Sequence, residues 1–177
     1  MAIITLNNNS LSSVTSLPAA ISTGKVLQVV STTKTDKQES NTNSFIDITG
    51  LSVSITPSSS SNKILVLCSM IIGGQNGTLY AYKLLRGSTD ICIGDATGSR
   101  TRCSIFGQHS GSDYMGESVA ISFLDSPSTT SATTYKVQGR AETSSNQAIS
   151  INASINDGDG ANIGRGASTI TVMEIQA

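Results

Sequence analysis

From Lys25 to Ile175 the sequence is a train of short runs rich in Val, Ile and Thr, each cut off by Gly, Ser, Asn or Pro. This pattern leaves little room for helices. β-Branched side chains are stiff about χ1 and pack well on a pleated surface, and none of the runs holds a helical period for long enough to matter. The runs KVLQVVSTT (Lys25–Thr33), SFIDIT (Ser44–Thr49), LSVSITP (Leu51–Pro57), KILVLCSMII (Lys63–Ile72) and TLYAYKLLR (Thr78–Arg86) predict strands. So do DICIGD (Asp90–Asp95), ESVAISFLD (Glu117–Asp125), TYKVQGRAE (Thr134–Glu142), AISINASI (Ala148–Ile155) and ASTITVMEI (Ala167–Ile175). A further short strand is expected around CSIF (Cys103–Phe106), within otherwise loop-like sequence from Ala96 to Gly116. Lys34–Asn43, Ser58–Asn62 and Asn156–Gly166 read as loops.

Several of these runs alternate apolar with polar residues, the period-2 mark of a half-buried strand. Lys63–Ile72 is apolar on both phases and predicts a central strand. Asn76-Gly77 is the strongest short-range hairpin signal, predicting that Thr78–Arg86 returns antiparallel to Lys63–Ile72. Many short strands with regular turns imply a sandwich or barrel, and no fixed-period repeat points to a propeller or solenoid. The expected architecture is all-β, an antiparallel jelly-roll β-sandwich over residues 25–177 with its last strand beside the first.

Residues 1–24 differ in kind. They are polar, with isolated Ile3, Ile4, Leu6, Leu11, Val14, Leu17 and Ile21, too sparse to close a core and too regular for a plain solvated tail. They predict an extended anchoring arm, with Leu6, Leu11, Val14 and Leu17 as its attachment contacts.

Composition narrows function. Charged residues make up 13% of the 177, against about 25% in an ordinary domain, while Ser and Thr exceed a quarter. A surface of hydroxyls instead of Lys and Glu suits a repetitive assembly. Net charge is −1, and Arg86, Arg100 and Arg102 are too few to mark a nucleic-acid or lipid footprint. No apolar run approaches a membrane span, and MAIITLNNNS lacks the basic and apolar segments of a secretion signal. Cys68, Cys92 and Cys103 have no metal or redox spacing and are expected as free thiols, although a bridge between two of them is compatible with the sequence.

The search for chemistry is mostly negative. His109 stands beside Ser110 and near Asp113, too close in sequence to assemble a triad, and an ordinary loop histidine is the simpler reading. Asp47, Asp90, Asp95, Asp113, Glu117, Asp125 and Glu142 could supply a carboxylate pair, but most fall at strand ends where solvated acids are common. NDGDG around Asp157 and Asp159 resembles half a calcium loop without the remaining ligands. Asn8 and Asn152 lie in N-x-S sequons, which matter only in a eukaryotic secretory pathway. No enzyme, metal or cofactor is expected.

The segment LNNNSLSSVTSLPAAISTGKVLQVVSTTKTD resembles the start of structural proteins of marine bacteriophages, cyanophages and their relatives. GLSVSITPSSSSNKILVLCSM, TLYAYKLLRGSTDICIGD, SVAISFLDSPSTTSATTYKVQGRA and STITVMEIQA are similar in style. The loops Ala96–Gly116 and Thr143–Arg165 look individual to this chain. The resemblance implies a virion protein made in the host cytoplasm, a capsid decoration or short fibre. Its jelly roll would be trimeric, of the tumour necrosis factor and complement-head type, and would contact other virion proteins. A receptor-binding fibre tip that recognises a bacterial surface glycan or protein is the alternative. Tyr80 and Tyr82, two apart on one strand face, are the expected subunit interface.

Overall fold

A computed structural model describes residues 24–142 and 147–177. They form two packed antiparallel sheets, and no helix occurs among them. The strands are β1 (Val26–Lys34), β2 (Gln38–Ser40), β3 (Ile46–Ile55), β4 (Lys63–Gly74), β5 (Leu79–Arg86), β6 (Thr89–Ile91), β7 (Ile105–Gln108), β8 (Gly116–Asp125), β9 (Thr133–Glu142), β10 (Ile149–Ile151) and β11 (Ser168–Ile175).

The pairing defines a jelly roll. β1 pairs with β11, β3 with β9, β4 with β8, and β5 with β6 and β7 laid end to end. The chain is thus one long antiparallel ribbon folded at β5–β7 and wound into two sheets. Winding closes when β11 lands on β4 and β9 on β5. Sheet A runs β1-β11-β4-β8, and sheet B runs β3-β9-β5 followed by β6 and β7. Short β10 and β2 extend sheet A beyond the end of β11. The terminal strand lies beside the first, as expected, and β2 occupies sequence that reads as loop.

Alternation decides the interior. In β4, Ile64, Val66, Cys68, Met70 and Ile72 are buried, and in β11 Ile170 and Val172 join them. Sheet B answers with Leu51, Val53, Ile55, Tyr82, Leu84, Tyr135 and Val137. The two runs read separately as Ser44–Thr49 and Leu51–Pro57 form one strand, β3. Its pairing shifts register between Asp47 and Ser52, and Gly50 takes φ +81° within that shift.

The expected hairpin at Asn76-Gly77 does not form. Thr78 N–H does donate to Gln75 C=O at 2.9 Å, so the turn is real. A hairpin turn of type I′ needs positive φ at both central residues, but only Gly77 has it, at +87°. That is the pattern of a type II turn, which splays the strands apart, and β5 leaves for the opposite sheet. The true two-residue hairpin is Gly87-Ser88 between β5 and β6, with Arg86 opposite Thr89 and Gly87 at φ +58°.

Tyr80 and Tyr82 do share a face of β5, but that face points inward. They are 7% and 0% exposed, with ring centroids 5.7 Å apart. Each ring covers a cross-strand glycine: Tyr80 is paired with Gly107 and Tyr82 with Gly139. The Tyr82 hydroxyl is buried with no hydrogen-bond partner among the described residues. Replacing Tyr82 by Phe is therefore expected to leave the melting temperature unchanged or raise it, by at most about 1 kcal/mol of stability.

Candidate contact face

Two buried carboxylates sit in one inward row of sheet A, on either side of Ile64: Glu174 from β11 and Asp125 from β8. Asp125 accepts from the Arg86 guanidinium at 2.9 Å and from the Tyr135 hydroxyl at 2.7 Å, which ties β8 to two strands of sheet B. Glu174 accepts from Asn62 at 2.6 Å, from the amide and hydroxyl of Ser58 at 2.7 Å each, and from Gln28 at 2.6 Å. Burial alone would raise its pKa. The four donors outweigh it and hold the carboxyl at about 2. Both acids are committed to holding one end of the sandwich together.

Several of the other acids named from the sequence are engaged in similar ways. Asp47 accepts from Lys136 and Gln138, and Asp90 from Lys83. Asp157 faces Lys37 and Arg165, so its charge in the NDGDG loop is already met by two cations. Asp113 accepts from the Asn76 amide. His109 is buried, not a solvent-facing loop residue, with Nδ1 3.4 Å from Glu117 Oε1. Among the described residues no group of three or more His, Cys, Asp or Glu side chains is placed to hold a metal ion. None of the three cysteines is in a disulfide, and burial pushes the Cys68 thiol up to about 12. Asn152 is fully buried, donating to the carbonyls of Lys34 and Asp36 and accepting from Ser168.

What remains unexplained by the interior is the outer face of sheet A. Register carries one apolar row straight across it: Val29 opposite Met173, Met173 opposite Leu65, Leu65 opposite Leu124. The next row is Ser31, Thr171, Leu67 and Ser122, and the next Thr33, Thr169, Ser69 and Ala120. Ser31 and Thr171 share a 2.8 Å hydroxyl–hydroxyl bond within this face. Val29 is 55%, Leu124 52% and Leu67 37% exposed, and Val26 and Leu27 continue the patch along β1. Lys63, bonded to Ser126, stands at the border of this patch, and Glu39 on β2 is in the same outward phase at the far end of the sheet, opposite Ser150 and through it Gly73.

The outer face of sheet B is built differently. Asp47–Lys136 and Lys83–Asp90 ion pairs cross it, and Phe45 lies under Lys83 at 4.3 Å and Arg140 at 5.1 Å. One side of the sandwich is thus dressed for water and the other is neutral with exposed aliphatics, the kind of asymmetry that marks a contact surface. The signal is present in the sequence: the outward phase of β4 carries Leu65, Leu67 and Ile71. Centrality within the sheet explains only the inward phase. Leu6, Leu11, Val14 and Leu17 lie outside the described residues, as do residues 1–23 as a whole.

Fold and face together define a jelly-roll module with one sheet face whose central rows carry no charge. No family model matches the chain, and no curated protein matches it. Among solved structures, that of infectious bursal disease virus Gx strain is similar over 84% of this chain and 38% of that one, with TM-score 0.44 and 9% identity. That of the Gt strain is similar over 84% and 37%, with TM-score 0.40 and 11% identity. The chain therefore spans less than two fifths of those chains, and a likeness of this extent says nothing of what the chain does.

Proposed function

We propose that this chain is a non-enzymatic structural module of a virus particle. In this reading copies of the chain join through the outer face of sheet A, most simply as a threefold ring, and residues 1–24 fix the ring to the particle. The observation that carries the reading is the contrast between the two outer faces. A neutral face of aliphatic and hydroxyl rows loses little on desolvation against a surface equally free of charge, and around a threefold axis a different part of the neighbouring copy's face, met heterologously, supplies one. The alternating Ser/Thr rows add hydroxyl pairs that can be exchanged across such a contact.

The resemblance of the segment from Leu6 to Asp36 to the opening of marine phage structural proteins supports a virion setting, as capsid decoration or short fibre. The arm reading has a direct test. Deleting residues 1–23 removes no residue of the jelly roll, so the truncated protein is expected to fold with an unchanged melting temperature. It is also expected to be lost from purified particles assembled in its presence. Truncated protein retained on the particles at the level of the full chain would overturn the anchoring role.

A further inference from the structure

The sandwich carries a second feature, on the side away from the neutral face. The segment between β6 and β7 arches over the outer face of sheet B and is tied to β9 where Arg140 donates to Thr101 Oγ1 at 2.7 Å. Beneath the arch lies a cavity of about 510 Å³, within the range of small-molecule sites. Leu79 and Phe106 give it apolar surface, and Asp95, Thr97, Arg100 and Arg102 line it with polar groups.

We infer that this cavity binds an acidic sugar unit, a hexose ring bearing a carboxylate. Three kinds of surface converge there, and such a ligand uses all three. The first is an aromatic platform. Phe106 is 63% exposed in a chain with three Phe, four Tyr and no Trp, and its ring stands at the cavity wall, open to a flat apolar partner. The apolar face of a pyranose is the natural cover.

The second is an anion fork. Arg102 Nε donates to the Gly94 carbonyl at 2.8 Å, which fixes the guanidinium plane and leaves its terminal N–H groups available. Arg100, beside it, has no side-chain partner among the described residues. The third is a hydroxyl reader: Asp95 accepts from Thr97 Oγ1 at 3.1 Å and keeps acceptor capacity for ring hydroxyls. Asp95 also disfavours a bare anion and helps set the direction in which an acidic sugar enters. The cavity opens on sheet B, so burial of the sheet A face between copies leaves it accessible, and this inference does not depend on the assembly reading.

The test is calorimetric titration of the full chain with digalacturonate, with the neutral disaccharide galactobiose, and with inorganic sulfate. Digalacturonate is expected to bind, and galactobiose and sulfate at least about tenfold more weakly. Phe106→Ala and Arg102→Gln are each expected to weaken digalacturonate by about tenfold or more, the range for a charged hydrogen bond or an aromatic platform. Arg100 makes no side-chain hydrogen bond or ion pair among the described residues, so a loss of binding in Arg100→Gln at an unchanged melting temperature separates recognition from loop folding. Three results would overturn the inference: no binding of digalacturonate up to about 10 mM, sulfate or galactobiose binding as tightly, or all three variants binding like the parent.

Discussion

Glu174→Ala is expected to lower stability by about 2–4 kcal/mol, far more than a typical substitution on a strand one residue from its end. The carboxylate gathers donors from β1, from the Ser58–Asn62 loop and, through Asn62, the carboxyl terminus, since Asn62 Oδ1 accepts from the Ala177 amide. Asn62 is 4% exposed, so its amide has little access to water once the acceptor is gone. Glu174→Gln is expected to be milder. Its single carbonyl can serve Ser58 and Asn62, at the cost of turning Gln28, which also donates to Thr56 C=O at 2.7 Å.

The same group gives a pH signature. Its folded pKa, about 2, lies below the ordinary 4.5, so the charged form is favoured by folding. That contribution is fully present above pH 4.5 and fades as pH falls from 4.5 toward 2. Chemical denaturation should show the stability gap between parent and Glu174→Gln, on the order of 2 kcal/mol near pH 6, closing across that interval. A gap that stays constant from pH 6 to 2 would contradict the assignment.

The second large effect is expected at Gly139. A Cβ there would stand 2.6 Å from Tyr82 Cε1 and 2.8 Å from Cδ1, with Ile48 Cδ1 at 3.2 Å. Tyr82 is fully buried, so neither ring nor strand can give way freely. Gly139→Ala should cost about 1–3 kcal/mol and Gly139→Val more, through overpacking. Gly164→Ala is the control: a Cβ there meets nothing within 4 Å and no positive φ is required, so its effect should be near zero or slightly stabilising. Thermal melts of the three variants settle the comparison.

These two sites also show where the sequence could be read and where it could not. Strict alternation in ASTITVMEI placed β11, and the inward phase Ile170, Val172, Glu174 ends on an acid. That break in phase is the local signal for the buried carboxylate, but it does not stand out, because Glu at a strand end is usually solvated. For Tyr80 and Tyr82, period 2 says that they share a face but not which one. The answer lies in Gly107 and Gly139, the partners each ring covers, and those pairings are set by the winding of the whole ribbon. Asn76-Gly77 failed for a comparable reason. The dipeptide permits both a hairpin turn and a splayed one, and the burial of β4 and β5 in opposite sheets decides between them. The cavity beneath the β6–β7 segment is the least legible part, since most of its walls come from loop sequence with no period and the rest, Leu79 and Phe106, from two strands that the winding brings together.

The most direct measurement is the mass of the full chain in solution by light scattering over a range of concentrations, alongside Leu67→Asp. Leu67 is half-exposed at the middle of the neutral face, so a carboxylate there should leave the fold intact and meet a desolvation cost only in a contact between copies. The proposal predicts a stable multimer for the parent, three times the chain mass in its simplest form, and a monomer for the variant with an unchanged melting curve at low concentration. A parent that stays monomeric at every concentration, or a Leu67→Asp protein that assembles as the parent does, would contradict it.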